Sequence, residues 1–185
     1  IQQQFDINVF GPMRVSRAFL PGMRDRRSGL IVYVSSVVGR LVLPFGGVYV
    51  SSKWALEALA EASSYELAPL GVEVAIVQPG AYGTNISNSR VDPDDTERLG
   101  GYADVMPLAA NIFGALSAAA AGRDSREVAD AIFALADQPA GTRALRTPVP
   151  AHPAVAAIND AVGQIQRQSL VDFNVSELLP KEFAR

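Results

Sequence analysis

Apolar residues recur at mainly helical spacing from the start of the chain. Val9, Met13, Ala18, Phe19, Leu20 and Met23 form one side while Arg14, Arg17 and Arg24 interleave, which predicts a helix over 3–27, ended by Ser28-Gly29. Leu30-Ile31-Val32-Tyr33-Val34 is a short unbroken apolar run between glycine and serines, the pattern of a strand buried on both faces. Ser35, Ser36, Gly39, Pro44, Gly46 and Gly47 mark a loop, and a second helix is expected from about Val48 to Leu70, stopped near Pro69 and Gly71. Val72–Val77 reads as a second buried strand ended by Pro79-Gly80. Strand, helix, strand is a parallel crossover unit, and ligands collect at the carboxyl ends of such strands: here Ser35-Ser36 and Gln78-Pro79-Gly80. The stretch 81–101 is polar and irregular, 104–121 and 125–137 read as helices, and a last helix covers Ala154–Leu170. Thr142–Val149 reads as an edge strand weakened by Pro148.

Composition narrows the field. With 185 residues, 49% of them hydrophobic, the chain can build one packed core. The formal charge of -3 is spread along the sequence and offers nucleic acid no strong attraction. The basic cluster Arg24, Arg26, Arg27 falls where cations favourably meet a helix C-terminus. The absence of cysteine excludes disulfides and thiolate metal sites, and a cytoplasmic home is compatible with it. The most apolar run, Pro107 to Ala121, is interrupted by Asn111, Gly114 and Ser117 and is shorter than the roughly 20 residues a membrane span needs, so no membrane partner is expected. The chain opens on Ile1 inside helical sequence, which suggests that an N-terminal portion is missing.

Tyr49 and Lys53 stand four apart at a helix start, so their side chains share a face. An adjacent ammonium favours the phenolate and would bring tyrosine, whose free pKa is about 10, toward use as a general acid or base. Taken alone the pair also fits a half-buried tyrosine beside a snorkelling lysine. Ser36, just past a buried strand, can converge with them and steady charge on a substrate oxygen; alternatively it caps the loop it sits in.

The run Gly29–Ser36 with Gly39, then Tyr49-Val50-Ser51-Ser52-Lys53, Glu66-Leu67, Gly71-Val72 and Val77-Gln78-Pro79-Gly80, resembles in order and spacing the short-chain dehydrogenases/reductases, over about residues 1–90. Ala55–Leu59 and Tyr65–Pro69 most resemble the hydroxysteroid-dehydrogenase-like branch. The resemblance implies an α/β fold: the C-terminal part of a Rossmann-like, doubly wound parallel sheet with long helices on its faces. Residues 1–185 would then form a single partial catalytic domain, with a substrate-binding loop and helices over 81–137. It further implies an oxidoreductase transferring hydride between NAD or NADP and a carbonyl or secondary alcohol. Tyr49 would pass the proton, Ser36 would polarise the oxygen, and Lys53 would lower the pKa of Tyr49 and bond the nicotinamide ribose. Asn8 matches the asparagine whose helix distortion holds a water that links the lysine to solvent; read by itself it is a mediocre helix former that packs or faces solvent. Pro79, Gly80, Tyr82 and Thr84 fall on a Pro-Gly-x-x-x-Thr pattern whose backbone holds the nicotinamide carboxamide, with Tyr82 departing from the usual small aliphatic residue. A homo-oligomer through the helices at 3–27 and 48–70 is implied as well; Trp54 and Tyr65 suit such contacts and equally suit intramolecular packing.

The glycine-rich Gly-x-x-x-Gly-x-Gly loop that would seat the pyrophosphate does not occur in these residues, so the fragment alone is expected to bind cofactor poorly. A truncated, inactive relative serving as a dimerisation module is the competing reading. His152, between Pro150 and Pro153, reads as a loop residue and no metal site is expected. Asp92, Asp94 and Asp95 lack the glycine and bidentate glutamate of a calcium loop. Hydrolysis by a Ser-His-Asp triad fails for want of Gly-x-Ser-x-Gly. Leu41, Val42, Leu43 and Phe45, with Ile86, Met106, Ile112 and Phe113, either wall an apolar pocket for a hydrophobic ketone or alcohol or belong to the core. The irregular stretch 81–101, if mobile, would act as a lid over it.

Overall fold

The computed structural model describes residues 1–89, 95 and 97–179. The chain divides into two compact units, one made of residues 1–80 with the chain from Glu127 onward, the other Ala81–Arg126.

The first unit opens on a continuous helical rod. It consists of α1 (Gln2–Phe5), one wider π-helical turn (Asp6–Phe10) and α2 (Gly11–Asp25). The wide turn has a local cause: Pro12 has no N–H, so the Asn8 carbonyl lacks the donor an α-helix would give it. The strand β1 (Gly29–Val34) follows, and Gly29 is required there, because a Cβ would stand 2.6 Å from Met23 Cγ. α3 (Gly47–Leu67) is rich in alanine, leucine and glutamate, runs into a 3₁₀ turn (Ala68–Leu70), and stops where Gly71 takes φ +76°. β2 (Val72–Pro79) extends two residues past the expected strand.

β2 is central in a three-stranded sheet. It pairs parallel with β1 (Gly29↔Val72 through Val34↔Val77) and with β3 (Arg146–Val149; Ile76↔Arg146 through Pro79↔Val149). Residues 74–78 of β2 are all buried, as a strand covered on both faces requires. β1 departs from that expectation: only Tyr33 is buried and Val34 is 44% exposed, since among the described residues β1 has a neighbour on the β2 side alone. β3 is four residues, shorter than the 142–149 expected, and Pro148, which has no N–H to give a ladder, sits on this edge.

The core forms where α3 lies on the sheet. Leu56, Ala60 and Leu67 of α3 meet Tyr33, Val72, Val74, Ile76 and Leu145, with Met13, Leu20, Met23, Ile31 and Leu70 packed around them. Fully burying each large member is worth about 1.5–3 kcal/mol, which is what fixes α3, and the residues on its first turns, relative to the strand tips. α5 (Arg126–Asp137) buries Leu135, and α6 (Pro153–Asp172) buries Val155 and Leu170. The arginine cluster after α2 serves another helix than its own: Arg27 donates to the Pro69 carbonyl at the end of the α3 run, 2.6 Å. His152 caps α6, its Nδ1 accepting from the Val155 amide at 3.3 Å.

The second unit holds 3₁₀ turns at Asn85–Ser89 and Glu97–Tyr102 and the helix α4 (Met106–Ala120). Asp95 pairs with Arg98 at 2.9 Å, while Asp92 and Asp94 lie outside the described residues. No helix among the described residues is long and apolar enough to cross a membrane.

Candidate functional site

The tip of β1, the start of α3 and the end of β2 meet in the first unit, and they carry Ser36, Tyr49, Lys53, Pro79 and Gly80. Ser36 is buried. Its Oγ caps the 3₁₀ turn at Val37–Gly39 by accepting from the Val38 amide at 3.3 Å, and it donates to the Pro79 carbonyl at 3.2 Å. It is thus a loop-capping residue, and its hydroxyl is near enough to Tyr49 to pull the phenol's pKa down. Gly80 is held to β3 through its amide, which donates to the Val149 carbonyl at 2.8 Å.

Lys53 reaches back along α3. Its Nζ lies 5.8 Å from the Tyr49 ring centroid and donates to the Val34 carbonyl at the tip of β1, 3.2 Å. The expected lowering of the Tyr49 pKa does not prevail in this arrangement. Burial pushes the phenol up, the Ser36 hydrogen bond pulls it down, and burial is the larger effect. Burial also pushes the Lys53 ammonium down, opposed by the Glu57 carboxylate.

Asn8 sits in the π-helical turn, and its Nδ2 donates to Ser52 Oγ at 3.1 Å. Ser52, fully buried, donates a hydrogen bond to the Tyr49 carbonyl at 2.7 Å. The distortion of the first helix is therefore used to dock it on the turn of α3 that carries Tyr49. Tyr82 and Thr84 belong to the second unit: Tyr82 is buried there, and Thr84 Oγ1 accepts from the Ile86 amide at 3.4 Å. Of the apolar residues offered as a pocket wall, Val42 (75% exposed) and Phe45 (46%) in the first unit and Ile86, Met106 and Phe113 in the second are exposed, so none of these five is core.

Sequence reasoning missed a buried polar network behind the site. Gln78, with no exposed surface, donates to Glu57 Oε1 at 2.9 Å and accepts from Asn159 Nδ2 at 2.8 Å. Arg146 donates to Glu57 Oε2 at 2.8 Å and to Glu61 Oε2 at 2.6 Å, and Tyr65 donates to Glu61 Oε1 at 2.6 Å. Burial opposes ionisation of Glu61, yet the Arg146 charge, the hydrogen bonds from Tyr65 and Arg146, and Arg40 together hold its carboxyl below the usual range. Arg40, itself buried, stacks 6.0 Å over the Trp54 ring. Tyr65 is thus engaged within its own chain. The available signal was a charged residue inside the apolar run Leu56-Glu57-Ala58 and a polar one ending the apolar strand at Gln78.

Residues 1–95 match the family model of the short chain dehydrogenases. The chain belongs to the short-chain dehydrogenase family. An uncharacterized oxidoreductase of Bacillus subtilis, YusZ, is 37% identical over 140 residues, covering 73% of this chain and 48% of the relative. A 3-ketodihydrosphingosine reductase of Bacteroides thetaiotaomicron is 36% identical over 104 residues, covering 56% and 39%. Among solved structures, a short-chain dehydrogenase from Streptomyces avermitilis superposes with a TM-score of 0.56 at 28% identity, over 92% of this chain and 58% of that one. An alcohol dehydrogenase from Thermococcus sibiricus, complexed with 5-hydroxy-NADP, gives 0.56 at 25% identity, over 78% and 50%. The chain thus spans about half the length, or less, of these curated relatives.

Proposed function

We propose that the protein to which this chain belongs is an NAD(P)-dependent oxidoreductase that interconverts a carbonyl and a secondary alcohol. The observation that carries the reading is that Lys53 Nζ lies 5.8 Å from the Tyr49 ring and bonds the Val34 carbonyl at the tip of β1, with Ser36 just past the same tip, at the carboxyl ends of parallel strands. Chemically, the donor set fits a nicotinamide nucleotide at its nicotinamide end. An ammonium has three donors, Lys53 spends one on Val34, and vicinal ribose hydroxyls are suitable acceptors for the others. When bound, the nicotinamide supplies or accepts the hydride. Tyr49 passes the proton to or from the substrate oxygen, Ser36 orients that oxygen, and Asn8 holds the Tyr49 turn through Ser52. Pro79, Gly80, Tyr82 and Thr84 are assigned to the carboxamide side by the family pattern.

A hydrophobic substrate is supported by the exposed Val42 and Phe45 beside the Ser36–Tyr49 loop, by the hydroxysteroid-dehydrogenase-like segments at 55–59 and 65–69, and by the 3-ketodihydrosphingosine reductase among the relatives. A homo-oligomer through the first helix and α3 is supported by the exposure of Phe19 (65%) and Trp54 (41%). No observation favours the dimerisation-module reading. In the intact protein, Tyr49→Phe should reduce the rate of NAD(P)H-dependent carbonyl reduction by about two to four orders of magnitude while cofactor affinity holds. A rate equal to that of the native protein refutes the assignment.

A further inference from the structure

Phe45 stands where the backbone favours glycine. The Gly46 amide donates to the Leu43 carbonyl at 3.3 Å, which closes a turn with Pro44 and Phe45 at its corners, and Phe45 takes φ +63°. A turn with proline second and a positive φ third suits glycine or asparagine at that third place, because a Cβ there crowds the following carbonyl. The other non-glycine residues with positive φ, among the described residues, are Arg27 and Asn174, so Phe45 is the aromatic one. A large ring held against its backbone preference marks a residue kept for what the ring touches.

The fold itself uses only part of that ring. Phe45 is 46% exposed. Leu43 and Val50 flank Gly46 instead: a Cβ on Gly46 would meet Val50 Cγ2 at 3.7 Å and Leu43 Cδ2 at 3.8 Å. Val50 is buried and Leu43 partly so, and these two do the inward packing at this turn. The turn leads straight into α3, since the Val50 amide donates to the Gly46 carbonyl at 2.9 Å, and Tyr49 is the third residue of that helix. Val42 and Val48 are exposed as well, and residues 41–48 carry no charged or hydrogen-bonding side chain. A polar group laid over this loop would give up its water for side chains that return no hydrogen bond, whereas an apolar group gains by the exchange.

We propose that Phe45 is a specificity-determining residue: its ring, presented by the Leu43–Gly46 turn beside Tyr49, receives an apolar, ring-sized substituent of the ketone or alcohol. The reaction rests on the function proposed above; the binding preference does not. The probes are butanone, cyclohexyl methyl ketone and acetophenone, whose dissociation constants from the intact protein with its nicotinamide nucleotide are read by ligand-detected NMR, without turnover. The native protein should bind the two ring ketones about tenfold or more tightly than butanone. Phe45→Gly and Phe45→Asn, which both suit the positive φ, should bring that preference to within about twofold of unity, and Phe45→Tyr should keep it. A relaxed backbone and the loss of a half-buried ring oppose each other, so the urea midpoints of the glycine and asparagine variants should stay within about 1 M of native. A preference that survives loss of the ring, or none in the native protein, overturns the proposal. So does a midpoint lower by more than about 1 M, which would make the ring a packing residue. If instead Tyr49→Phe leaves the rate of carbonyl reduction intact, the function falls while the ketone affinities still decide the role of Phe45.

Discussion

Replacing Arg146 with alanine removes the one cation that, among the described residues, bonds both Glu57 and Glu61. The Arg146 side chain is 5% exposed and those of its partners 2% and 14%, so neither carboxylate can recover full hydration. Breaking a buried pair by removing one partner costs about 3–5 kcal/mol, chiefly because the charge left behind is uncompensated. A domain of this size has a total stability of about 5–15 kcal/mol, so the loss is a large fraction of it. At a urea slope of about 2 kcal/mol/M the unfolding midpoint should fall by about 2 M. The pH dependence has a definite sign. The Glu61 carboxyl is held below its usual range in the fold, so its contribution is present above the unfolded pKa and is lost as pH falls through the folded value. The deficit of Arg146→Ala should therefore be largest near pH 7 and narrow in acid, where the native protein loses the same contribution. Urea titrations followed by far-ultraviolet circular dichroism at pH 7 and pH 4 measure both quantities. A variant within about 1 kcal/mol of native at pH 7, or a deficit that does not shrink in acid, refutes the reasoning.

Two further perturbations test how the site is held. Gly71→Ala forces a Cβ to 2.3 Å from the Arg27 carbonyl at a residue with φ +76°, and should cost about 2 kcal/mol or more in the same urea assay. Asn8→Ala and Ser52→Ala, combined in a double-mutant cycle, should show a coupling of about 0.5–1.5 kcal/mol from their 3.1 Å hydrogen bond; additive costs would mean that the π-helical turn is not docked through it.

Periodicity placed the helical rod, α3, α4, α5 and α6 to within a few residues, because an amphipathic stripe, a Pro-Gly stop or an apolar run between breakers is written in consecutive residues. The helix-to-strand order and the spacing of Ser36, Tyr49 and Lys53 were legible for the same reason: short segments with strong local preferences determine which side chains can share a face. The widened turn at Asn8 was available in principle, since Pro12 four residues on removes the donor.

Burial was not legible at this level. Whether β1 is covered on both faces depends on what lies beside it, and whether Tyr49 titrates low or high depends on how much surface packs over it. The Glu57–Arg146 contact joins positions 89 residues apart, and no local pattern announces such a pair. The sequence by itself determined the elements and the chemistry they carry, because both follow from nearest neighbours along the chain. Which charges share an interior, and hence the direction in which Lys53 and Tyr49 are shifted, was decided by tertiary packing, because desolvation and Coulomb interactions act through space.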